Sequence, residues 1–232
     1  MFRLTRFSLF SLALFAVTFI SVQVTSAQLK LPRPSPKASV MQTVGITDVT
    51  ISFFRPGVKG RKIWGDWPVE VKGEGTLDNQ NQRPPGAPIV PFGHMWRTGA
   101  NDATTFSVTD DVLINGSPLA AGTYSLHTIP GKDEWTIVFN GAANQWGSFS
   151  YDASKDTLRV KAKPQVVAEN QEWLDFGLDP DKENTLTATI KWEKVRVPFT
   201  VEAMRQVIAN GVPIPMGRAI ARAVKEATEA NP

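Results

Sequence analysis

The sequence predicts an all-β protein: an antiparallel β-sandwich, or a barrel-like sandwich, followed by a C-terminal helical hairpin. Three observations support this class. Apolar and polar residues alternate with a period of two along most of the chain. Turn-forming residues separate these runs. Apolar residues change to helical spacing only after Glu202, so no helix long enough for a βαβ unit is predicted before that point.

The alternating runs predict the strands, in chain order. Each run places its apolar side chains on one face and Thr, Ser, Lys or Arg on the other, which is typical of sheets with one buried face. We therefore expect the apolar members to form the core. The runs are led by Val49, Phe106, Tyr124, Trp135, Leu158, Leu174, Leu186 and Val195.

Turn chemistry predicts how neighbouring strands are joined. Asn115-Gly116 is a strong signal for a two-residue hairpin, because both positions tolerate a positive φ. Residues 130–133, Pro-Gly-Lys-Asp, lie between two alternating runs. Short strands joined by such turns favour an antiparallel arrangement.

The N-terminus predicts export to the periplasm or the extracellular space. Arg3 and Arg6 precede an apolar run over 7–20, and small residues lead up to Gln28. That run is shorter than the roughly 20 residues of a membrane-spanning helix, so cleavage is favoured over an uncleaved anchor. The predicted organisation is a signal peptide (1–27), a Pro-rich leader (28–37), a β-sandwich domain (38–202) with a long inserted loop (67–92), and a helical appendage (203–232).

Composition narrows the function. The chain has no cysteine, which excludes disulfides, thiolate metal sites, a cysteine nucleophile and a lipoprotein anchor. Loss of Arg3 and Arg6 with the signal would lower the formal charge from +3 to +1, because no acid leaves with them. We therefore predict no nucleic-acid partner. No later segment is long and apolar enough to span a membrane, so no transmembrane segment is predicted in the mature chain.

Two segments depart from the β pattern. Residues 67–92 are rich in turn formers and have no period, which is typical of long loops that are functional or mobile. After Glu202, apolar residues recur at helical spacing, first around Val207 and then from Met216 to Ala227. This helical hairpin is expected to pack on the sheet or to form a homodimer contact.

Catalytic motifs are weak. The two histidines, His94 and His127, lack the spacing of paired metal ligands, and His127 is expected on a polar, solvated or hydrogen-bonded strand face. No serine lies in a Gly-x-Ser-x-Gly elbow, and no phosphate loop or dinucleotide motif is present. We therefore predict no catalytic residue, no metal and no cofactor. A carboxylate pair or a two-His site remains the alternative.

A binding site is better supported. Several tryptophans lie in or beside loops, with planar amide and guanidinium groups near them, and such groups suit ring-shaped or anionic ligands. Alternatively, the tryptophans close the ends of the sandwich, and Arg97 pairs with Asp102 or caps carbonyl groups. The predicted ligand-binding residues are Arg61, Trp64, Trp96, Arg97, Asn101 and Trp146, with Asn144 and Gln145 nearby.

Several long motifs resemble one known family. They run in order from about Leu31 to Glu202: residues 31–39, Leu-Pro-Arg-Pro-Ser-Pro-Lys-Ala-Ser; 55–61, Arg-Pro-Gly-Val-Lys-Gly-Arg; 96–101, Trp-Arg-Thr-Gly-Ala-Asn; 129–135, Ile-Pro-Gly-Lys-Asp-Glu-Trp; and 192–199, Trp-Glu-Lys-Val-Arg-Val-Pro-Phe. The chain thus resembles the secreted bacterial domain-of-unknown-function family 2911. The resemblance implies an exported all-β domain and no particular reaction. The 67–92 loop and the helical tail depart from the family pattern.

Two functions follow as hypotheses. The first is a non-catalytic ligand-binding or cell-envelope-associated β module, with a small molecule or saccharide-like compound as its ligand. The second is a hydrolase of envelope or carbohydrate material. Two acids facing each other in one pocket would favour the hydrolase, whereas an open tryptophan-lined groove without paired acids would favour binding.

Overall fold

A computed structural model of the chain describes residues 31–70, 76–77 and 83–204. Twelve strands and one 3₁₀ turn, Ala153–Lys155, lie within these ranges, all in the unit that begins at Pro34. The strands are β1 Lys37–Val44, β2 Thr47–Phe54, β3 Trp64–Gly65, β4 Val90–Pro91, β5 Thr104–Val108, β6 Val112–Ile114, β7 Ser117–Leu119, β8 Gly122–Ile129, β9 Trp135–Asn140, β10 Asp156–Ala162, β11 Gln165–Lys182 and β12 Thr185–Ala203.

Two antiparallel sheets carry most of the chain. The six-stranded sheet has the order β1-β2-β5-β8-β9-β10, and the four-stranded sheet has the order β11-β12-β6-β7. A short parallel pair, β3 and β4, stands apart from them. The predicted all-β class with antiparallel sheets is therefore confirmed.

The two sheets face each other across one hydrophobic core. Aromatic rings meet across the gap: the ring centroids of Phe53 (β2) and Phe176 (β11) are 4.6 Å apart. Phe199 of β12 lies 6.5 Å from Phe106 and 6.3 Å from Phe139 of the other sheet. The residues that lead the alternating runs are buried in this core, as the period of two predicts, except for the partly buried Leu158 and Val195, which pack against it.

The long strand β12 changes its alternation at Glu193 and so keeps facing the core. Trp192 and Val197 are both buried although one position is even and the other odd, so strict alternation would place them on opposite faces. Glu193 lies between them with a φ of 51°, and the β11–β12 register shifts beside it. The positive φ at Glu193 shifts the alternation by one position, so both halves of β12 turn side chains into the core.

The predicted Asn-Gly hairpin is confirmed. Asn115 and Gly116 have φ values of 46° and 81° and join β6 to β7. The Asn115 side chain also accepts a hydrogen bond from the Thr200 backbone N–H (2.7 Å) and donates one to the Lys161 carbonyl oxygen (2.8 Å). The turn residue therefore ties the hairpin to β12 and β10.

The described chain ends in a strand and not in a helix. Strand β12 continues through Ala203, so the predicted start of a helix at 203 is wrong, and no helix of the predicted hairpin lies within the described residues. The rest of that prediction, 205–232, and the predicted signal peptide lie outside them. No helix in the described part of the chain is long and apolar enough to cross a membrane.

The predicted 67–92 loop contains a strand. Within it, β4 pairs in parallel with β3, and Thr76 forms a bridge with Met95. The Arg83 guanidinium lies 5.8 Å from the centre of the Trp67 ring. Residues 71–75 and 78–82 lie outside the described residues.

Candidate functional site

Two loops meet on the outer face of the six-stranded sheet. The 92–103 loop leads into β5, and the 141–155 loop joins β9 to β10. The Ala103 N–H donates to the Gln145 carbonyl oxygen (3.0 Å), and the Gly147 N–H donates to the Asn101 carbonyl oxygen (3.0 Å). These two bonds flank Trp146 and hold its backbone in one position.

The 92–103 loop has an unusual backbone. Thr98 has a φ of 54°, which is rare for a β-branched residue, and Asn101 has a φ of 57°. The Thr98 carbonyl oxygen accepts a hydrogen bond from Thr104 Oγ1 (2.8 Å), and its hydroxyl lies 3.1 Å from that of Thr128. Arg97 Nη1 donates to the Asn101 carbonyl oxygen (2.8 Å). Such backbone strain is maintained only where surrounding contacts impose it, and it concentrates at functional sites.

The 141–155 loop depends on a glycine. Gly147 has a φ of 61°, and a Cβ placed there would lie 3.0 Å from the Arg97 guanidinium carbon and 2.9 Å from the Phe149 ring. Only glycine combines this backbone conformation with such close packing. Gly147 therefore lets Arg97 pack between the two loops.

A polar network anchors both ends of the 141–155 loop. Asp156, whose side chain is 11% exposed, accepts hydrogen bonds from the Tyr151 hydroxyl (2.6 Å), Arg159 Nε (2.8 Å) and Asn140 Nδ2 (2.8 Å). Asn140 Nδ2 also donates to the Asp152 carbonyl oxygen (2.9 Å), and Asn140 Oδ1 accepts from the Ala142 N–H (3.0 Å). One carboxylate thus connects β9, the loop and β10.

This network makes the tyrosines testable by titration. Burial, followed by the hydrogen bond to Asp156, raises the pKa of Tyr151 from its ordinary value of 10.0 to about 12. Burial and then the charge of Asp111 also raise the pKa of Tyr124, the other tyrosine of the chain. We expect Tyr151 to contribute little phenolate absorbance near 295 nm in native protein at pH 10–11, and Tyr124 to titrate above its ordinary value, whereas the urea-unfolded chain titrates both tyrosines near 10.

The raised pKa values of the tyrosines make the free energy of unfolding depend on pH. Above pH 10 the unfolded chain has lost phenol protons that the native protein still binds, so stability falls as the pH rises toward 12. Tyr151→Phe should leave one phenol in the native titration and a weaker pH dependence of the free energy of unfolding. Titration of both phenols near pH 10 in the native protein would contradict the described contacts.

The sheet surface beneath the loops is polar and buried. Ser125, His127 and Asn140 lie on the outer face of the six-stranded sheet, yet each is 0% exposed because the loops cover them. Gln145 Nε2 donates to Ser125 Oγ (3.1 Å) and lies 3.3 Å from His127 Nε2. The expected hydrogen-bonding of His127 is confirmed, but its expected exposure to solvent is wrong.

An open cleft of about 340 Å³ lies where the two loops meet the sheet. Its floor comes from outward-facing positions of β1, β2 and β5, and its wall comes from the loops. Trp146 is 54% exposed, which is unusual for a side chain of its size and apolarity. The other lining residues are Lys37, Ser52, Phe54, Asp102, Ala103, Thr105, Ala143, Asn144 and Gln145.

Three of the six predicted site residues come together here. Trp146 lines the cleft, whereas Asn101 and Arg97 do not. The Asn101 carbonyl oxygen accepts hydrogen bonds from Arg97 Nη1 and from the Gly147 N–H, and so supports the loop that carries Trp146. The Asn101 side chain also donates to the Ser35 carbonyl oxygen (3.3 Å). Their role in ligand binding stays a prediction, and the structure gives Arg97 and Asn101 a supporting position.

The other three lie elsewhere. Trp96 is 3% exposed and stacks on Trp192 with ring centroids 5.8 Å apart. Trp64 packs edge-on against Trp96 (5.8 Å) and Trp135 (5.1 Å). Arg61 is exposed and donates to the carbonyl oxygens of Gly57 and Val58, which closes its own turn. The expectation that these six residues form one site is therefore not met.

A second hollow, of about 330 Å³, lies beside this tryptophan cluster. Trp64 and Trp135 line it together with Phe92 and Val195, and its surface is mostly apolar. Trp64 Nε1 is buried and has no hydrogen-bond partner among the described residues. The first cleft offers an exposed ring beside several polar groups, so we take it as the candidate site.

Sequence reasoning missed the floor of the cleft. Lys37, Ser52, Phe54 and Thr105 occupy strand positions, and alternation places them on the outer face of the sheet. That signal was available in the sequence. The sequence pattern does not predict which loops cover that face, because this depends on contacts between residues far apart in the chain.

The cleft lining combines aromatic rings, neutral polar side chains, one acid and one base. Asp102 is the single carboxylate among its lining residues. Within the described part of the chain, no group of three His, Asp or Glu residues is placed to hold a metal ion. The arrangement offers hydrogen-bond donors and acceptors around an aromatic ring.

Comparison with known proteins places the chain in a family. The fold and site define an all-β domain with a loop-built cleft. A family model described as "Protein of unknown function (DUF2911)" matches residues 35–201, so the chain belongs to this family. No curated protein and no solved structure matches it. The resemblance inferred from the motifs is thereby confirmed.

Proposed function

We propose that this protein is a β-sandwich module that binds, without transforming it, a ring-shaped and hydroxyl-rich ligand of the saccharide class in the cleft beside Trp146. The exposed Trp146 ring carries the proposal. The backbone on both sides of Trp146 is hydrogen-bonded to the 92–103 loop, so little conformational entropy of the loop backbone is lost on binding. An exposed aromatic face on such a backbone can cover the apolar face of a sugar ring.

Polar side chains around this ring support the same class of ligand. Ser52, Thr105 and Asn144 bring hydroxyl and amide groups to the cleft, and Asp102 brings a carboxylate. The hydroxyl and amide groups both donate and accept hydrogen bonds, as sugar hydroxyl groups do, and the carboxylate accepts them. The ring supplies contact area, and the polar groups fix the orientation of the ligand.

The alternative of a hydrolase is less well supported. Glycoside hydrolysis commonly uses two carboxyl groups about 5–10 Å apart on either side of the bond. The cleft lining contains one carboxylate, Asp102. The buried His127 lies beneath the loops and is not among the residues that line the cleft. We therefore propose binding without catalysis.

We also propose that binding takes place outside the cytoplasm. This rests on the N-terminal sequence, in which Arg3 and Arg6 precede an apolar run. Oligosaccharides of the cell envelope are ligands that an exported module would meet.

A glycan array and calorimetry test the proposal. We expect wild-type protein to bind at least one neutral or acidic oligosaccharide, and Trp146→Ala to weaken that binding at least about tenfold because the stacking surface is removed. The melting temperature should change little, since Trp146 is 54% exposed.

Phe149→Ala is the matched control. Phe149 is a neighbouring aromatic residue, 45% exposed, that contacts Arg97 and does not line the cleft. This variant should retain binding. Wild-type protein that binds no glycan, or a Trp146→Ala variant that binds as the wild type does, would end the proposal.

A further inference from the structure

The charge of the cleft is uneven. Lys37 begins β1, is exposed, and lines the cleft beside its register partner Phe54. Among the residues that the structure describes, no carboxylate forms an ion pair with Lys37. Asp102, the acid of the same cleft, already has an interaction partner within the protein. Of the two charged groups in the cleft, the Lys37 ammonium is therefore the one that can pair with a ligand.

We propose that the ligand is an acidic saccharide, whose carboxylate pairs with Lys37 Nζ while a sugar ring covers Trp146. This inference rests on the proposed function and adds the charge of the ligand to it. A cation in a cleft whose one acid, Asp102, already has a partner within the protein favours ligands with an anionic group at the matching distance from the stacked ring. An ammonium group on a flexible stem accepts a carboxylate without demanding one fixed geometry.

The neutral polar groups of the cleft complete the recognition. Asn144 and Thr105 can bond the hydroxyl groups of the same sugar, whatever its charge. Acidic and neutral forms of one saccharide should therefore differ in affinity chiefly through Lys37. This difference can be measured separately from stacking.

The test uses pairs of ligands that differ in charge alone. Oligomers of galacturonate, glucuronate and mannuronate are each compared with their methyl esters, which keep the ring and remove the negative charge. We expect at least one acid to bind about tenfold more tightly than its ester at low salt, as a charge-assisted contact allows. The preference should shrink as salt is added, because the pair is exposed to solvent.

Variants at Lys37 assign the effect. Lys37→Gln should remove the preference for the acid and leave binding of the ester unchanged, whereas Lys37→Arg should keep the preference. Lys37 is exposed, so both variants should keep the wild-type melting temperature. Comparing the affinities for dextran sulfate and for dextran shows whether a sulfate group can replace the carboxylate. If dextran sulfate binds but no acid binds more tightly than its methyl ester, the carboxylate assignment is overturned.

The outcomes separate the two proposals. Equal binding of acids and esters, or an acid preference that survives Lys37→Gln, overturns the inference and leaves saccharide binding intact. Failure of every acid, ester and neutral glycan to bind overturns the proposed function and this inference with it.

Discussion

Replacing Trp96 with alanine is expected to lower the free energy of unfolding by about 3–5 kcal/mol, the range for a large aromatic side chain deleted from a packed core. Trp96 is 3% exposed and contacts Trp192, Trp64 and Trp135. Its Nε1 also donates to the Gly99 carbonyl oxygen (3.2 Å), so truncation leaves a cavity and an unpaired acceptor.

Urea unfolding at constant pH measures this loss. Trp146→Ala is the matched control, because the same residue type is removed from an exposed position, and it should cost less than about 1 kcal/mol. Trp96→Phe should recover part of the lost stability by refilling the cavity. Similar losses for Trp96→Ala and Trp146→Ala would contradict the assignment of one tryptophan to the core and the other to the cleft.

Replacing Asp156 with alanine is expected to cost about 3 kcal/mol, because three donors lose one nearly buried acceptor. The affected donors belong to Tyr151, Arg159 and Asn140. Since these groups anchor the 141–155 loop, the loop carrying Trp146 should open more often. Glycan binding should then weaken even though Asp156 does not line the cleft.

Denaturant unfolding and amide hydrogen exchange measure the two effects separately. Glu134→Ala is the control, since Glu134 forms an exposed ion pair with Lys161 (3.0 Å) and should cost at most about 1 kcal/mol. Amides of the 141–155 loop should exchange faster in Asp156→Ala while core strands stay protected. Unchanged stability and unchanged loop exchange in Asp156→Ala would refute the anchoring role.

The sequence and the structure agree best for strands that bury one face in the core and expose the other. Alternation alone predicts that Val49, Phe106 and Leu174 face a core, and all are buried. The Asn115-Gly116 turn was equally predictable because few residues adopt a positive φ at low cost. Neither feature needs information from distant parts of the chain.

Sequence and structure agree less well at the predicted binding site. Loop position left both Trp96 and Trp146 open to ligand binding or to closing the sandwich, but Trp96 is in the core and Trp146 is exposed. Similarly, a polar strand face predicted a solvated His127, which the 92–103 and 141–155 loops help to bury. Local sequence does not record which loop covers which face.

By itself, the sequence determined the all-β class, the inward faces of the strands, the hairpin turn and the family, because each depends on neighbouring residues or on motifs in order. Tertiary structure alone decided which polar residues are buried, which tryptophan is exposed, and that Lys37 and Trp146, 109 positions apart, line one cleft. The reason is physical: strand alternation is set within a few residues, whereas the cleft is built by hydrogen bonds and packing between loops that meet only when the sheets have assembled.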